Sequence, residues 1–156
     1  AGALGIPQFM PDNYRRLAVD FDKDGEIDII NSVQDAVGSI GNFLRYHGWI
    51  PNEPVIIIIP NSNHLNTNNI ELNSSRPNIA LSELIPDWQK IKYFQTEISN
   101  FNDDSASVAL LEQSENGSKK QWLGFENFFI LFRYNPRLFY ALAVASLADA
   151  LNECGT

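Results

Sequence analysis

The chain has 156 residues, 44% apolar and 12% aromatic, which is enough to bury a core and too apolar for a disordered segment. A formal net charge of −8, with Arg15-Arg16 and Lys119-Lys120 as the adjacent basic pairs, excludes an electrostatic grip on nucleic acid. The single cysteine, Cys154, excludes an internal disulfide and thiolate metal clusters, and the longest apolar stretch, residues 138–148 after Arg137, is too short to span a bilayer.

Residues 1–11 mix small residues with Gly2, Gly5, Pro7 and Pro11, the composition of a tight connection. Gln8 stands between apolar neighbours, where an amide needs hydrogen-bond partners or a ligand. Asp12-Asn13 is expected to cap a short helix carrying Tyr14, Leu17 and Val19. A second helix is expected from Ser32, with Asp35 three residues on as in a capping box. There Val33, Ala36, Val37, Ile40, Phe43, Leu44 and His47 recur at helical spacing before Gly48 stops the run.

From Pro51 the pattern changes. Residues 55–59, a β-branched run between Pro54 and Pro60, read as a strand buried on both faces. Seven asparagines in residues 61–78 mark a surface loop. Residues 81–85 suit a helical turn, and 92–98 are read as a further strand. Asn116-Gly117, between apolar runs at 106–113 and 119–123, is a strong hairpin signal. Asn135-Pro136 reads as a helix start, and residues 138–152, apolar almost all round, as a helix enclosed in a core.

Between the first two helices lies Asp20-Phe21-Asp22-Lys23-Asp24-Gly25-Glu26-Ile27-Asp28. It matches the front half of an EF-hand loop: carboxylates at positions 1, 3 and 5 converge because a glycine at position 6 lets the chain turn, and the Glu26 carbonyl follows. Ile27, at position 8, is expected to pack inward. Position 12, ordinarily a bidentate Glu, is Asn31, so Asp35 on the helix becomes the downstream acid and the loop is an expanded one. The expected ligands are Asp20, Asp22, Asp24, Glu26 and Asp35, holding a structural Ca2+. The plainer reading is a solvated acidic turn.

With AGALGIPQFMP running into AVDFDKDGEIDI and DAVGSIGNFLRYHGW, and NFFILFRYNPRLFYALAVASLADAL closing the chain, the sequence resembles the lytic murein transglycosylases of the membrane-bound B type. The resemblance covers both ends, about half the residues. It implies an α+β fold: a lysozyme-like helical core portion with an EF-hand-type calcium loop (1–50), a small inserted β lobe (51–124), and C-terminal helices returning to the core (125–156). Members cut the β-1,4 bond between N-acetylmuramic acid and N-acetylglucosamine in peptidoglycan without water, leaving a 1,6-anhydro end. One glutamate serves as general acid and then base, and the substrate acetamido group replaces the second carboxylate of ordinary glycosidases.

In that family the glutamate precedes the AGALG motif. No catalytic residue is therefore assigned in this chain, which opens inside a motif and is expected to be the back part of a longer protein and inactive alone. The family's groove residues fall on Gln8, Phe9, Phe43, Tyr134 and Asn135. Phe43 stands where a tyrosine is frequent, and Asp12-Asn13 replaces a serine pair. The alternatives at these positions are structural: a buried amide, core packing and a helix cap. The resemblance also implies peptidoglycan as partner, a monomer, and a periplasmic or outer-membrane-anchored location in bacteria. The competing class is a non-catalytic calcium-dependent glycan-binding or remnant module. His47 suits the helix dipole, and Trp49, Trp88 and Trp122 suit packing better than sugar stacking.

Overall fold

The computed structural model describes residues 2–60, 65–68, 70–97, 106–115 and 118–154. Two compact units divide between Ile50 and Pro51, where the composition also changes.

The first unit opens on a tight turn. Leu4 and Phe9 exchange backbone hydrogen bonds of 2.8 and 3.0 Å across a loop that turns at Gly5 and Gln8, both at positive φ. Helix α1 (Pro11–Leu17) follows. Its first residue is Pro11, and Met10 is the N-cap with no side-chain bond, so the expected Asp12-Asn13 cap is not used. Proline at this position needs no amide partner, which starts the helix one residue earlier.

Helix α2 (Val33–Tyr46) begins as its sequence dictates: Ser32 Oγ accepts the Asp35 amide at 3.1 Å. Its inner face is Asp35, Ala36, Ser39 and Phe43, while Val33 and Val37 are each 60% exposed. The turn to the core at the loop's end is made by buried Ile29, whereas Ile27 is exposed, contrary to the EF-hand expectation. Gly38 lets the helix meet the preceding acidic loop closely, since a Cβ there would lie 2.5 Å from Phe21 Cβ.

The second unit is built on a four-stranded antiparallel sheet in the order β1-β4-β3-β2. The strands are β1 (Ile56–Ile58), β2 (Ile79–Ala80), β3 (Ser107–Glu115) and β4 (Ser118–Gly124). Between β2 and β3 come α3 (Leu81–Leu84), a 3-10 turn (Trp88–Lys90) and α4 (Lys92–Glu97). The stretch read as a strand at 92–98 is thus helical over its described part. Phe94 is drawn into the apolar cluster with Trp88, Leu81 and Leu84, and that packing overrides the β-branched local bias.

β3 alternates between two cores. Val108 and Leu110 face the α3 side with Ile57 and Leu123, while Ala109 and Leu111 join Trp122, Phe128 and Ala141 on the other. That second cluster includes α5 (Glu126–Tyr134) and α6 (Leu138–Cys154). Helices α5 and α6 thus pack on the sheet within this unit.

The pairing of Glu115 with Ser118 leaves two residues for the hairpin turn, as Asn-Gly implies. Those two residues, like His64, lie outside the described ones. β1 is an edge strand with Ile58 59% exposed, so the run at 55–59 is buried on one face only. Both sheet edges are met by side chains. The Tyr93 hydroxyl donates to the Ile58 carbonyl at 2.8 Å. Beyond short β2, Asn73 meets β3: its amide nitrogen Nδ2 donates to Glu112 O at 3.1 Å, and its Oδ1 accepts the Glu112 N–H at 2.8 Å.

Asn135 closes α5, and α6 starts at Leu138, so Asn135-Pro136 is a link rather than the helix start. Helix α6 is covered on one side only: Ala141, Leu142 and Ala145 are buried, but Phe139, Leu147 and Leu151 are each more than 60% exposed or close to it. An apolar surround did not mean full enclosure within the chain.

Candidate functional site

The acidic loop folds around its own amides. Asp20 Oδ1 accepts the Lys23 N–H at 2.6 Å and Oδ2 the Gly25 N–H at 2.9 Å. Gly25 sits at φ +99°, a conformation L side chains rarely adopt, which lets the chain reverse here. Asp22 accepts the Asp24 amide at 3.3 Å and the Ser32 hydroxyl at 3.2 Å. Asp35 reaches back from α2: its two oxygens take the amides of Phe21 at 2.7 Å and Asp28 at 2.8 Å. The Asp28 and Phe21 amides hold the Asp35 carboxyl below its ordinary range, against the opposing effect of burial.

Ligand atoms of Asp20, Asp22 and Asp35 lie within 4.8 Å of one another. Three anionic oxygens at such spacing repel one another in the absence of a countercharge, and each carboxylate oxygen retains lone pairs beside the amide it accepts. Hard oxygen donors are the kind Ca2+ takes, and three supply part of the roughly six to eight it needs. Of the five expected ligands, the trio gathers three. The Asp24 carboxylate stands outside it, accepting the Glu26 amide at 2.9 Å.

Sequence reasoning missed Asp28. Its carboxylate takes the Ile30 and Asn31 amides and the Asn31 side chain, each at 2.9 Å, which shapes the exit from the loop. The Asn31 side-chain bond is the largest cause of its lowered pKa. An Asp followed three residues later by Asn was the available signal. Ser39 was also missed: buried on α2, it accepts the Val19 amide at 3.0 Å and ties the loop's entry to the helix.

The groove candidates divide. Gln8 is exposed, and its Nε2 donates to the Gly5 carbonyl at 2.7 Å, which fixes the side chain while leaving its oxygen free to accept. Phe9 and Phe43 are buried, 1% and 2% exposed, with ring centroids 6.0 Å apart. His47 packs on Phe43 at 4.3 Å. These two phenylalanines pack in the unit's aromatic core, where the turn at Gly5 folds the chain back over α2.

In the second unit, Tyr134 is half-buried at the end of α5 and Asn135 is its C-cap, the Asn135 amide donating to Leu131 O at 3.2 Å. Burial, with Tyr140 nearby, pushes the Tyr134 phenol up to about 12. The group is a neutral hydrogen-bond donor at any physiological pH. An unfolded phenol ionises near ~10, so the stability this site contributes is complete below that and lost as pH rises through about 12. Tyr134→Phe is expected to flatten that alkaline arm of a melting-temperature profile, and equal slopes in the two proteins would refute it.

Residues 1–149 match the Transglycosylase SLT domain. The chain belongs to this transglycosylase family. It is 32% identical over 151 residues to the membrane-bound lytic murein transglycosylase B of Escherichia coli (strain K12), spanning 97% of the present chain and 38% of that protein. The lytic transglycosylase Slt35 of Escherichia coli, solved in complex with calcium, superposes with a TM-score of 0.70 at 28% identity, over 99% of this chain and 45% of that one. SltB3 of Pseudomonas aeruginosa, solved in complex with NAG-NAM-pentapeptide, gives 0.74 at 29% identity, over 97% and 39%. The mixed helices and small antiparallel sheet are thus those of the lytic transglycosylases. The chain spans less than half the length of each of these relatives. Among the described residues, no helix of this transglycosylase-family chain is long and apolar enough to cross a membrane.

Proposed function

We propose that the protein carrying this chain is a peptidoglycan lytic transglycosylase, cleaving MurNAc-β-1,4-GlcNAc bonds to 1,6-anhydro ends. The observation that carries this reading is the family match along residues 1–149, with relatives acting on murein at about 30% identity. The chain's contribution is a glycan-facing surface in each unit, with the exposed Gln8 amide in the first and Tyr134 and Asn135 in the second. Gln8 accepts from sugar hydroxyl or acetamido N–H groups, and Tyr134 donates from a phenol kept neutral by burial. Phe9 and Phe43 act beneath that surface, holding the Gly5–Gln8 turn against α2.

The general acid/base glutamate is assigned to the part of the relatives that this chain does not match. Supporting this, the described carboxylates whose pKa is shifted, Asp28, Asp35 and Glu112, are all pushed down, and a glycosidic proton donor needs the opposite shift. An EF-hand-type Ca2+ would be held by Asp20, Asp22 and Asp35, with the Glu26 carbonyl as a further donor. Bound there, the ion would neutralise the trio and fix the loop to α2, a structural service outside the reaction. The division into 1–50, 51–124 and 125–156, action as a monomer, and a periplasmic or outer-membrane-anchored location belong to the same reading.

The test is product analysis. Peptidoglycan digested by the intact protein is expected to release muropeptides with anhydro ends, seen by mass spectrometry as species 18 Da lighter (about one water, the hydrolytic step that is skipped). Hydrated reducing ends would overturn the mechanism. The 156-residue chain alone is expected to release none, and release at the intact protein's rate would place the acid within it.

A further inference from the structure

The second unit holds an open cavity of about 560 Å3 on the α3 side of the sheet, lined by Leu110 and Ile59 and by Ile70 and Leu72. Its polar lining is Thr67, Glu112, Lys119 and Gln121. The Glu112 carboxylate is 13% exposed and accepts Lys119 Nζ at 3.0 Å, Gln121 Nε2 at 3.0 Å and the Ser114 hydroxyl at 3.5 Å. Its main chain is clamped by Asn73 on both N–H and C=O. Lys119 is 67% exposed.

An ion pair across a hairpin ordinarily lies on the open surface and contributes little. This one has its anion fixed and mostly enclosed beside apolar side chains, and its cation free at one end. Neither charge is saturated. The ammonium has three donors and the carboxylate about four acceptor sites, and the bonds above leave some of each. An anion and a cation 3.0 Å apart complement a ligand that carries the same two charges in reverse order.

We infer that this cavity binds an amino-acid head group with a free ammonium and a free carboxylate on one carbon, at the end of an aliphatic arm. The ammonium meets Glu112, the carboxylate meets Lys119, and the arm lies along Leu110, Ile70 and Leu72. The inference rests on the peptidoglycan reading, in which such a head group is the free end of a stem-peptide diamino acid. It adds a site for the peptide, separate from the residues that face the glycan.

The probe is the free tripeptide L-Ala-γ-D-Glu-meso-diaminopimelate, titrated into the chain by calorimetry. Comparison probes are the peptide amidated at the arm's carboxylate, the peptide with lysine as its third residue, and a peptide-free GlcNAc-MurNAc oligomer. The diaminopimelate peptide is expected to bind at least tenfold tighter than the amidated or lysine forms. Lys119→Met, at an exposed position, is expected to erase that preference, and Glu112→Gln to weaken every peptide. Equal binding of the amidated form, or an unchanged preference in Lys119→Met, would overturn the inference. Displacement of the bound peptide by the peptide-free glycan oligomer would overturn it too, by giving the cavity to sugar, and leave the murein reading standing. Selective peptide binding alongside hydrated reducing ends from the intact protein would support the site and sink the lytic mechanism instead.

Discussion

Gly5→Ala is expected to destabilise the first unit by roughly 3–4 kcal/mol, a large share of a typical domain's stability. A Cβ on Gly5 would lie 2.2 Å from the Ile29 carbonyl oxygen and 2.7 Å from its carbon, at a backbone φ of +63°. The obstacle is main chain, so no rotamer change relieves it. Ile29 is itself buried, and its carbonyl already receives the Ile6 amide at 2.9 Å. Moving it would break the bond joining the opening turn to the end of the acidic loop. Gly25→Ala is the control. It also has positive φ, but nothing lies within 4 Å of an added Cβ, so it carries only the conformational cost of about 1–2 kcal/mol. Hydrogen exchange should show protection lost across residues 2–50 in Gly5→Ala and retained in residues 51–154. Matching stabilities for the two variants would show that the contact with Ile29 is not what requires glycine.

Asp35 is expected to give the second large effect. Removing its carboxylate in Asp35→Ala leaves the Phe21 and Asp28 amides without their acceptor in a part-buried setting, and loses the bridge from loop to helix. A drop of roughly 5–10 °C in melting temperature is expected, measured without calcium. Asp35→Asn keeps the shape and one acceptor oxygen, so its drop should be smaller. It removes an anionic ligand, however. Wild-type protein at a free calcium ~100 times the dissociation constant should gain about 2.7 kcal/mol, and Asp35→Asn should gain far less. An unchanged melting temperature in Asp35→Ala would discard the bridging role. A full calcium response in Asp35→Asn would remove Asp35 from the ligand set.

The parts of the fold that were readable in advance are those with short-range causes. Ser32 with Asp35 fixed the start of α2, because a hydroxyl three residues from an amide can satisfy it whatever lies beyond. Asn116-Gly117 announced a hairpin whose flanking register follows. The convergence of Asp20, Asp22 and Asp35 followed from loop spacing, although Asp24 turned instead to a local amide. What stayed hidden depends on partners distant in sequence. Nothing local tells that Phe9 and Phe43 meet each other, which the Gly5 turn brings about. Ile27 and Ile29 are equally apolar, and only the loop's exit through Asp28 determines that Ile29 is the buried one. The run at 92–97 became helix because Phe94 had a pocket beside Trp88 to fill. Around β1, five apolar residues in a row at 55–59 indicated depth, but the strand's place at the sheet's edge gave it one covered face.

The two side chains that meet the sheet's borders bear on how the chain behaves in company. An uncovered border strand is a template that a neighbouring molecule can extend. Asn73 gives β3 the N–H and C=O partners that another backbone would otherwise bring, and the Tyr93 hydroxyl occupies the outward carbonyl of Ile58. Sheet growth by strand addition is blocked at those points by groups that carry no charge. A strongly acidic chain could have relied on repulsion to keep its copies apart, but repulsion weakens as salt rises. Hydrogen bonds already made do not, so this barrier to association persists at high ionic strength.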